Sequence, residues 1–207
     1  TTMHSPALFS SGMTNYVSTS NYDVVNLHWV NNEMMSITDI GNLLKPVVWT
    51  LHDMWAFCGA EHYTESFRWR DGYLRTNRPV YERGFDLNRW VWTRKKKNWK
   101  KHIQIVCPSK WLADRARESV LMRDWPITVI PNPIDTDKWC PLEKKYARKL
   151  LKLPEDKPLL LFGAYDGTND PRKGFYLLRE SLTHLHGVID DLELVVFGQN
   201  KPKNKPD

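Results

Sequence analysis

Two histidines follow apolar segments that have the composition of buried strands. His28 comes after Tyr22–Leu27, and His52 comes after Pro46–Leu51. In open α/β sheets, ligands bind outside the carboxyl ends of the strands. A histidine at such an edge can exchange a proton, or hydrogen-bond a hydroxyl group, near neutral pH. The spacing therefore indicates a functional site at one edge of a sheet.

Trp29 and Asp53 adjoin these histidines and are candidates for the same site. A structural interpretation is also open. His52 and Asp53 would then satisfy each other, or nearby backbone groups, where a strand ends. Two unrelated loop histidines fit the pattern as well as a paired site does.

A second candidate site precedes a helix that we predict from about residue 174 to 186. Gly163 opens a polar loop after an apolar strand, and Arg172 and Lys173 lead into the helix. Unpaired N–H groups and the helix dipole favour an anion at a helix start. Arg172 and Lys173 add two cations there, which together indicate a phosphate or diphosphate site. The alternative is that the two basic residues are only solvated at a helix start. The loop matches neither of the two glycine-rich motifs that bind nucleotides.

The segment Thr93–His102 is dominated by lysine and arginine, and the chain carries a net charge of +6. Such a run can contact anionic lipid headgroups or nucleic acid. The alternative is a solvated helix face. No nucleic-acid-binding signature accompanies the run, so we expect no nucleic acid partner. An anionic membrane surface that contacts residues 94–101 remains a hypothesis.

Apolar segments alternate with helical patterns along the chain, which predicts an α/β fold with parallel strands buried on both faces. Ser36 and Ser109 are expected to cap two of the helices, with Asp39 completing a capping box. Ser109 can also touch a ligand. The predicted strands are Tyr22–Leu27, Pro46–Leu51, Ile103–Cys107, Ile127–Ile130, Pro158–Phe162 and Leu192–Phe197.

A proline-rich connector, Ile130–Pro141, predicts a boundary between domains 1–133 and 134–207. Residues 61–101 look irregular until a helix near their end, and the polar tail 200–207 looks like a loop.

Three cysteines without a Cys-x-x-Cys pair favour a reduced, cytosolic setting. No apolar run reaches the length of a membrane span, and no signal peptide pattern opens the chain. No histidine, cysteine and carboxylate cluster has metal-ligand spacing.

Five motifs, in this order, resemble those of family 4 retaining glycosyltransferases, like those of bacterial surface-polysaccharide assembly. They are DVVNLHWVN, KPVVWTLHDMWAFCG with EHY, IVCPSKWLADRARES, VIPNPIDTDKW and LLLFGAYDGTNDPRKGFYLL. The resemblance implies the GT-B architecture, in which two Rossmann-like parallel-sheet domains face each other across a cleft. Both domains would be incomplete here, because the chain looks like the middle of a longer protein whose isolated fragment is inactive.

The resemblance also implies roles. The enzyme would be a hexosyl-type transferase that moves a sugar from a nucleotide-sugar to a glycan or lipid-linked acceptor with retention of configuration, without a metal or other cofactor. His52 would face the transferred sugar as the catalytic residue, and Gly163, Arg172 and Lys173 would bind the donor diphosphate. The cleft or acceptor side would carry His28, Trp29, Asp53, Ser109 and Asn132.

One departure from the family pattern concerns the donor loop, where Ala164 follows Gly163 in place of the arginine that is frequent there. We expect Arg172 to substitute for it. The location implied is cytoplasmic, with peripheral contact at the inner membrane face. The competing hypothesis is a basic module without catalytic activity that binds nucleic acid or anionic membrane.

Overall fold

The computed structural model describes residues 3–185 and 187–198. The chain divides into two compact units, Thr1–Ile134 and Asp135–Asp207, called unit 1 and unit 2 below. The predicted loop at 200–207 and the predicted helix end at His186 lie outside the described residues.

Unit 1 is built on a four-stranded parallel sheet. Its strands are β1 (Val25–Leu27), β2 (Val47–Thr50), β3 (Gln104–Cys107) and β4 (Ile127–Val129), in the spatial order β1-β2-β3-β4. Trp49 pairs with Leu27 on one side and with Ile105 on the other. All four carboxyl ends therefore lie at the same edge, as predicted from the apolar segments.

Five helices accompany this sheet: α1 (Met13–Thr19), α2 (Ile37–Gly41), α3 (Arg68–Asp71), α4 (Leu87–Asn98) and α5 (Lys110–Glu118). The capping box of α2 is confirmed, because the Ser36 hydroxyl accepts from Asp39 N at 3.0 Å and Ser36 N donates to the Asp39 carboxylate at 3.0 Å. Ser109 caps α5 by accepting from Leu112 N at 3.2 Å.

The sequence patterns missed α1 and α3. Helix α1 spans only seven residues, which is too few to show a sustained helical period in the sequence. Helix α3 is a single turn, which is too short to show a helical period.

Aromatic side chains fill much of the unit 1 core. The ring centroids of Trp49 and Trp99 lie 5.4 Å apart in an edge-on arrangement, and those of Trp55 and Trp99 lie 6.0 Å apart. The Trp99 indole also donates to the Ile37 carbonyl at 2.9 Å. Trp99 thereby joins α4 to both the sheet and α2, and each buried indole that finds an acceptor avoids an unpaired donor.

Unit 2 contains a two-stranded parallel sheet of β5 (Leu159–Gly163) and β6 (Glu193–Phe197). It also contains α6 (Lys144–Leu150), a 3₁₀ turn (Pro171–Lys173) and α7 (Phe175–Leu185). Phe175 is the only buried apolar side chain that the structure describes in this unit. Its ring lies 5.2 Å from that of Phe162, which joins α7 to β5.

The three cysteines are free. Cys58 and Cys107 are buried in unit 1, whereas Cys140 is exposed in unit 2. Burial raises the pKa of Cys107 to about 11. It also raises the pKa of Cys58 well above its usual value, and the Glu61 carboxylate adds to that shift.

Candidate functional site

The carboxyl edge of the unit 1 sheet brings His28 and His52 together. Nδ1 of His28 lies 2.9 Å from Nε2 of His52, and the rings stack with their centroids 5.2 Å apart. Both residues are exposed. A hydrogen bond between two ring nitrogens needs one donor and one acceptor. One of the two facing nitrogens therefore carries a proton, and the imidazole whose nitrogen accepts is neutral.

Asp53 does not pair with its neighbour His52. Its carboxylate instead accepts from the His62 ring Nδ1 at 2.6 Å and from the Trp29 indole at 3.0 Å. The Trp55 backbone N–H donates to its other oxygen at 2.9 Å. Asp53 is buried, so its contribution to the edge is to hold Trp29 and the start of the following loop.

Behind Asp53, the network continues into the interior of unit 1. The second ring nitrogen of His62 lies 2.8 Å from the Ser5 hydroxyl. The Ser5 carbonyl accepts from the Trp55 indole at 2.8 Å. Ser5, His62 and Asp53 are all buried. Polar groups that satisfy each other in this way rigidify their surroundings, and here they support the loop that follows His52.

A small cavity of about 10 Å³ opens beside His52, which is room for roughly one water-sized group. Trp29, Asn31 and Asp53 also line it. Asn31 is 3% exposed, and its Nδ2 has no hydrogen-bond partner among the described residues. An unpaired buried donor is uncommon in folded proteins. This cavity is therefore unusual in having such a donor, the Asn31 Nδ2, in its lining.

Lys95 lies beneath the same loop and is fully buried. Its ammonium donates to the carbonyls of Trp55, Cys58 and Gly59, the last at 2.7 Å, and sits 3.8 Å from the centre of the Trp55 ring. Burial lowers the pKa of Lys95 to about 7, although nearby acidic groups, including Glu61 and Asp53, oppose the shift. Through these hydrogen bonds, Lys95 stabilises the loop that carries Asp53.

The burial of Lys95 corrects our interpretation of residues 94–101 as one exposed basic face. Arg94 is also engaged, because its guanidinium donates to the Pro6 carbonyl at 3.0 Å. Burial lowers the Arg94 pKa. The exposed cations of this segment are Lys96, Lys97, Lys100 and Lys101.

The predicted anion site in unit 2 has a different local structure from the one expected. Helix α7 begins only at Phe175, after the 3₁₀ turn and Gly174, whose φ is 73°. Arg172 forms an ion pair with Asp170, with Nη2 2.6 Å from a carboxylate oxygen. The hydrogen bonds from Arg172 lower the Asp170 pKa. The ion pair with Asp170 accounts for Arg172 near a helix start without any bound anion. Lys173 is therefore the stronger candidate of the two cations for binding an anion.

The remaining predicted site residues lie in three places. Gly163 ends β5, and a Cβ there would come within 2.0 Å of the Phe197 ring, so a larger residue would require the exposed Phe197 side chain to move. Ser109 starts α5, after the carboxyl end of β3, with its hydroxyl engaged as the cap. Asn132 is exposed in the connector.

Neither a metal cluster nor a membrane helix is found in the described ranges. No group of three or more histidine, cysteine or carboxylate side chains there could hold an ion. Within residues 3–185 and 187–198, no helix combines the length and apolarity that crossing a bilayer requires.

Our sequence reasoning missed Ser5, Asn31, His62 and Lys95. The hydrogen bond between Ser5 and His62 spans 57 positions, and that between Lys95 and Cys58 spans 37. Contacts this distant leave no periodic signal. The one available hint was that His62 lies close in sequence to the His52-Asp53 pair, within a motif that we assigned to an irregular region.

Comparisons with known proteins show the family and the fold of the chain. A model of Glycosyltransferase Family 4 matches residues 4–138, more than half of the chain. The structure is similar to that of sucrose-phosphate synthase from Thermosynechococcus elongatus, with a TM-score of 0.54 and 15% sequence identity. The match covers 94% of this chain and 41% of that one. No curated protein sequence matches. At this identity the likeness concerns the fold, and it confirms the predicted parallel α/β architecture of the GT-B type.

Proposed function

Because this chain belongs to glycosyltransferase family 4, we propose that it takes part in transferring a hexosyl group from a nucleotide-sugar to a glycan or lipid-linked acceptor, with retention of configuration, in polysaccharide assembly. The chain spans 41% of the sucrose-phosphate synthase structure. The activity proposed is therefore that of the protein expressed from the complete reading frame.

The observation that supports this proposal most directly is the pair of histidines at the carboxyl edge of β1 and β2. Their contact distance of 2.9 Å means that each ring orients the other. We propose that His52 hydrogen-bonds the transferred sugar. A fixed hydrogen-bond donor or acceptor at a reacting group is more effective than solvent, because it needs no reorganisation during the reaction.

Unit 2 would supply the charge that stabilises the leaving group. When the bond between the anomeric carbon of the donor sugar and the diphosphate oxygen breaks, negative charge develops on the departing nucleoside diphosphate. Lys173 is exposed and follows a residue whose own charge is paired with Asp170. We propose that the Lys173 ammonium contacts the diphosphate, and that Arg172 keeps the turn in shape through its ion pair. No metal is assigned a role.

Kinetics of single variants test this function. Replacing His52 with alanine should lower kcat by about 100-fold, the loss typical of removing one preorganised hydrogen bond. Replacing Lys173 with alanine should lower kcat to a similar extent and raise the donor KM. Lys149, another exposed lysine of unit 2, provides the control, because Lys149→Ala should leave both constants unchanged. Product formation from a panel of nucleotide-sugars is the measurement, and unchanged kcat in both site variants would contradict the assignment.

A membrane-facing surface is a second candidate function. The four exposed lysines of residues 96–101 include Lys101, which lines a cavity of about 270 Å³ at the amino edge of the sheet. Apolar side chains, including the exposed Leu44 and the buried Trp99, line it, and Lys101 lies at the same cavity. Apolar surface combined with cations matches the chemistry of an anionic lipid bilayer.

Sedimentation with lipid vesicles tests this surface. The protein should bind vesicles of phosphatidylglycerol and phosphatidylcholine at low salt, and binding should weaken as salt rises. Replacing the four exposed lysines with glutamine should abolish binding, since each contributes about 1 kcal/mol near an anionic surface. Lys95 stays unchanged, because it is internal. Equal sedimentation with vesicles of pure phosphatidylcholine would rule out a surface for anionic lipid. If the four substitutions instead abolished binding to RNA and left vesicle binding unchanged, the nucleic acid alternative would be favoured.

A further inference from the structure

The cavity of about 270 Å³ at the amino edge of the unit 1 sheet is large enough to enclose most of a small ligand. It lies between the end of α2, the start of β2 and the segment that joins α4 to β3. Its volume admits about nine groups of the size of a water molecule, at roughly 30 Å³ for each. That volume is close to the lower limit for small-molecule sites, about 300 Å³.

The floor of this cavity is apolar. Four buried side chains form it, namely Ile40, Leu43, Trp99 and Ile103. The single nitrogen among these side chains, Trp99 Nε1, already donates to the Ile37 carbonyl at 2.9 Å. A polar group placed on this floor would lose its hydrogen bonds to water without gaining one from these side chains. The part of a ligand that enters the cavity must therefore be apolar.

The rim of the cavity is cationic. Its titratable lining residues are Lys45, Lys101 and His102, without any carboxylate. The Lys45 ammonium donates to two backbone carbonyls, at 2.7 and 2.6 Å, and the His102 ring stacks on Trp125 with the centroids 6.0 Å apart. Lys101 is exposed, and its ammonium has no hydrogen bond or ion pair within the described part of the chain. An anionic group at the rim would form a charge-assisted hydrogen bond with Lys101.

Positive charge extends around the end of α4. Lys96 and Lys97 lie in the last turn of this helix, and Lys100 follows it. The carboxyl end of a helix favours cations and disfavours an anion, and these lysines offset that effect. Charge complementarity therefore favours a ligand with an anionic head over a neutral or a cationic one.

The walls of the cavity are fixed before any ligand binds. Gly41 at the end of α2 approaches α4 so closely that a Cβ there would lie 2.7 Å from the Asn98 carbonyl oxygen. The hydrogen bond from Trp99 to Ile37 joins the same two helices. A ligand that enters a preformed cavity has a smaller ordering cost to overcome.

From these features we infer that the amino edge of unit 1 binds a medium-chain carboxylate, with its alkyl chain in the cavity and its carboxylate at Lys101. The exposed Leu44, at 75%, lines the mouth and adds apolar contact for the chain. The inference goes beyond the proposed transferase function and does not depend on it, because His28 and His52 lie at the opposite edge of the sheet. It also differs from adsorption to a bilayer, because one free molecule fills one cavity.

Binding of a matched pair of amphiphiles tests this inference. The probes are octanoate and 1-octanol, below their aggregation limits and without vesicles or nucleotide, measured by saturation-transfer NMR titration of the protein. Octanoate should bind saturably. Lys101→Gln should weaken octanoate binding about threefold, in the range of an exposed ion pair, and leave octanol binding unchanged. Leu44→Ser should weaken the binding of both probes, because it removes apolar contact.

Lys97→Gln and Leu74→Ser are the matched controls. Lys97 is exposed on α4, and Leu74 is 51% exposed in the loop after α3, and neither residue lines the cavity. Both variants should bind the two probes as the wild type does, and circular dichroism should show that every variant is folded. Equal weakening by Lys101→Gln and Lys97→Gln, or no weakening by either, would overturn the assignment of the carboxylate to Lys101.

The indole N–H signals locate the bound chain. In ¹H–¹⁵N spectra, octanoate should shift the signal of Trp99, identified as the one missing from Trp99→Phe. The signal of Trp111, which is 52% exposed on α5, should stay in place. An unchanged Trp99 signal at saturating octanoate would overturn the inference.

Vesicles distinguish a free amphiphile from a bilayer as the source of the alkyl chain. A protein that sediments with anionic vesicles but binds no octanoate would overturn the inference and leave only the bilayer surface. Octanoate binding can succeed or fail whether or not the protein turns over a nucleotide-sugar. The outcome for this cavity is therefore separate from the outcome for the transferase function.

Discussion

Replacing Lys95 with methionine should destabilise unit 1 by about 3 kcal/mol or more. Lys95 is fully buried, and its ammonium donates to three backbone carbonyls of the loop at residues 55–59. Methionine has a similar length but no donor, so those carbonyls would lose their partner at about 1–3 kcal/mol for each buried group left unsatisfied. The loop that carries Asp53 would loosen with them.

Urea denaturation followed by tryptophan fluorescence measures this effect. Every tryptophan except Trp139 lies in unit 1, so the signal reports on that unit. Lys97 is exposed on the same helix, and Lys97→Met should change stability by less than about 0.5 kcal/mol, as is usual for surface positions. Equal losses in the free energy of unfolding of the two variants would show that the buried contacts of Lys95 do not stabilise unit 1.

The same pair of proteins should differ in pH dependence. The Lys95 pKa is about 7 in the folded chain, whereas lysine in an unfolded chain titrates near 10.4. Above about pH 7 the unfolded state therefore binds more protons, and the stability contributed by Lys95 rises with pH, approaching about 1.4 kcal/mol per pH unit. Burial also raises the Cys58 pKa, which lowers the stability of both proteins above about pH 8.5, so the two are compared most simply below that pH. The stability gap between wild type and Lys95→Met should thus widen from about pH 7 to 8.5.

Replacing Arg68 with methionine should be comparably damaging, at about 3–5 kcal/mol. The buried Arg68 guanidinium contacts both Asp86 carboxylate oxygens, at 3.2 and 2.6 Å, and donates to the Leu74 carbonyl at 3.2 Å. Removing one partner of a largely buried ion pair is strongly destabilising, and here it would leave Asp86 with only the more distant Arg78 cation, at 3.8 Å. Asp86 also caps α4 by accepting from Arg89 N, so the damage should extend to that helix.

Arg70, two residues away, is the control for Arg68. It pairs with Glu118 at the surface, where both side chains are 43% exposed, and exposed pairs contribute about 0–1 kcal/mol. Arg70→Met should therefore have a small effect in the same urea titration. If Arg68→Met unfolds no more readily than Arg70→Met, the ion pair with Asp86 is not a stabilising contact.

The acid limb of stability gives an independent readout of Arg68. Burial opposes ionisation of Asp86, but hydrogen bonds from Arg68 and the Arg89 backbone lower its pKa below the usual value. A carboxylate with a depressed pKa contributes stability above its unfolded pKa, near 3.9, and loses that contribution as the pH falls through the folded pKa. Arg68→Met should flatten this loss below about pH 4.

The parallel α/β fold was predictable because its signals are local. Continuous apolar segments are typical of strands in a parallel sheet, and each of the six predicted strands is present. Burial on both faces was wrong for unit 2, because β5 and β6 contain no buried residue. Ser36 with Asp39, and Ser109 alone, mark helix starts through contacts that span three residues. Such short-range chemistry can be recognised directly in the residue order.

The site was only partly predictable, because its contacts are distant in sequence. The spacing of His28 and His52 after two strands indicated a shared edge, and parallel pairing of β1 with β2 brings them into contact. Lys95 looked like a member of a solvated basic run, since nothing in residues 93–102 distinguishes it from Lys96 or Lys97. Its burial depends on the loop at residues 55–59, which packs against α4 only in the folded chain.

The distribution of the three thiols has a practical consequence for spectroscopy. Cys58 and Cys107 are enclosed by the core, and burial raises the pKa of each, so both remain protonated and unreactive towards maleimides. Cys140 is exposed near the end of the proline-rich connector. A fluorophore or spin label attached there would need no prior cysteine removal, and it would mark a single position at the start of unit 2.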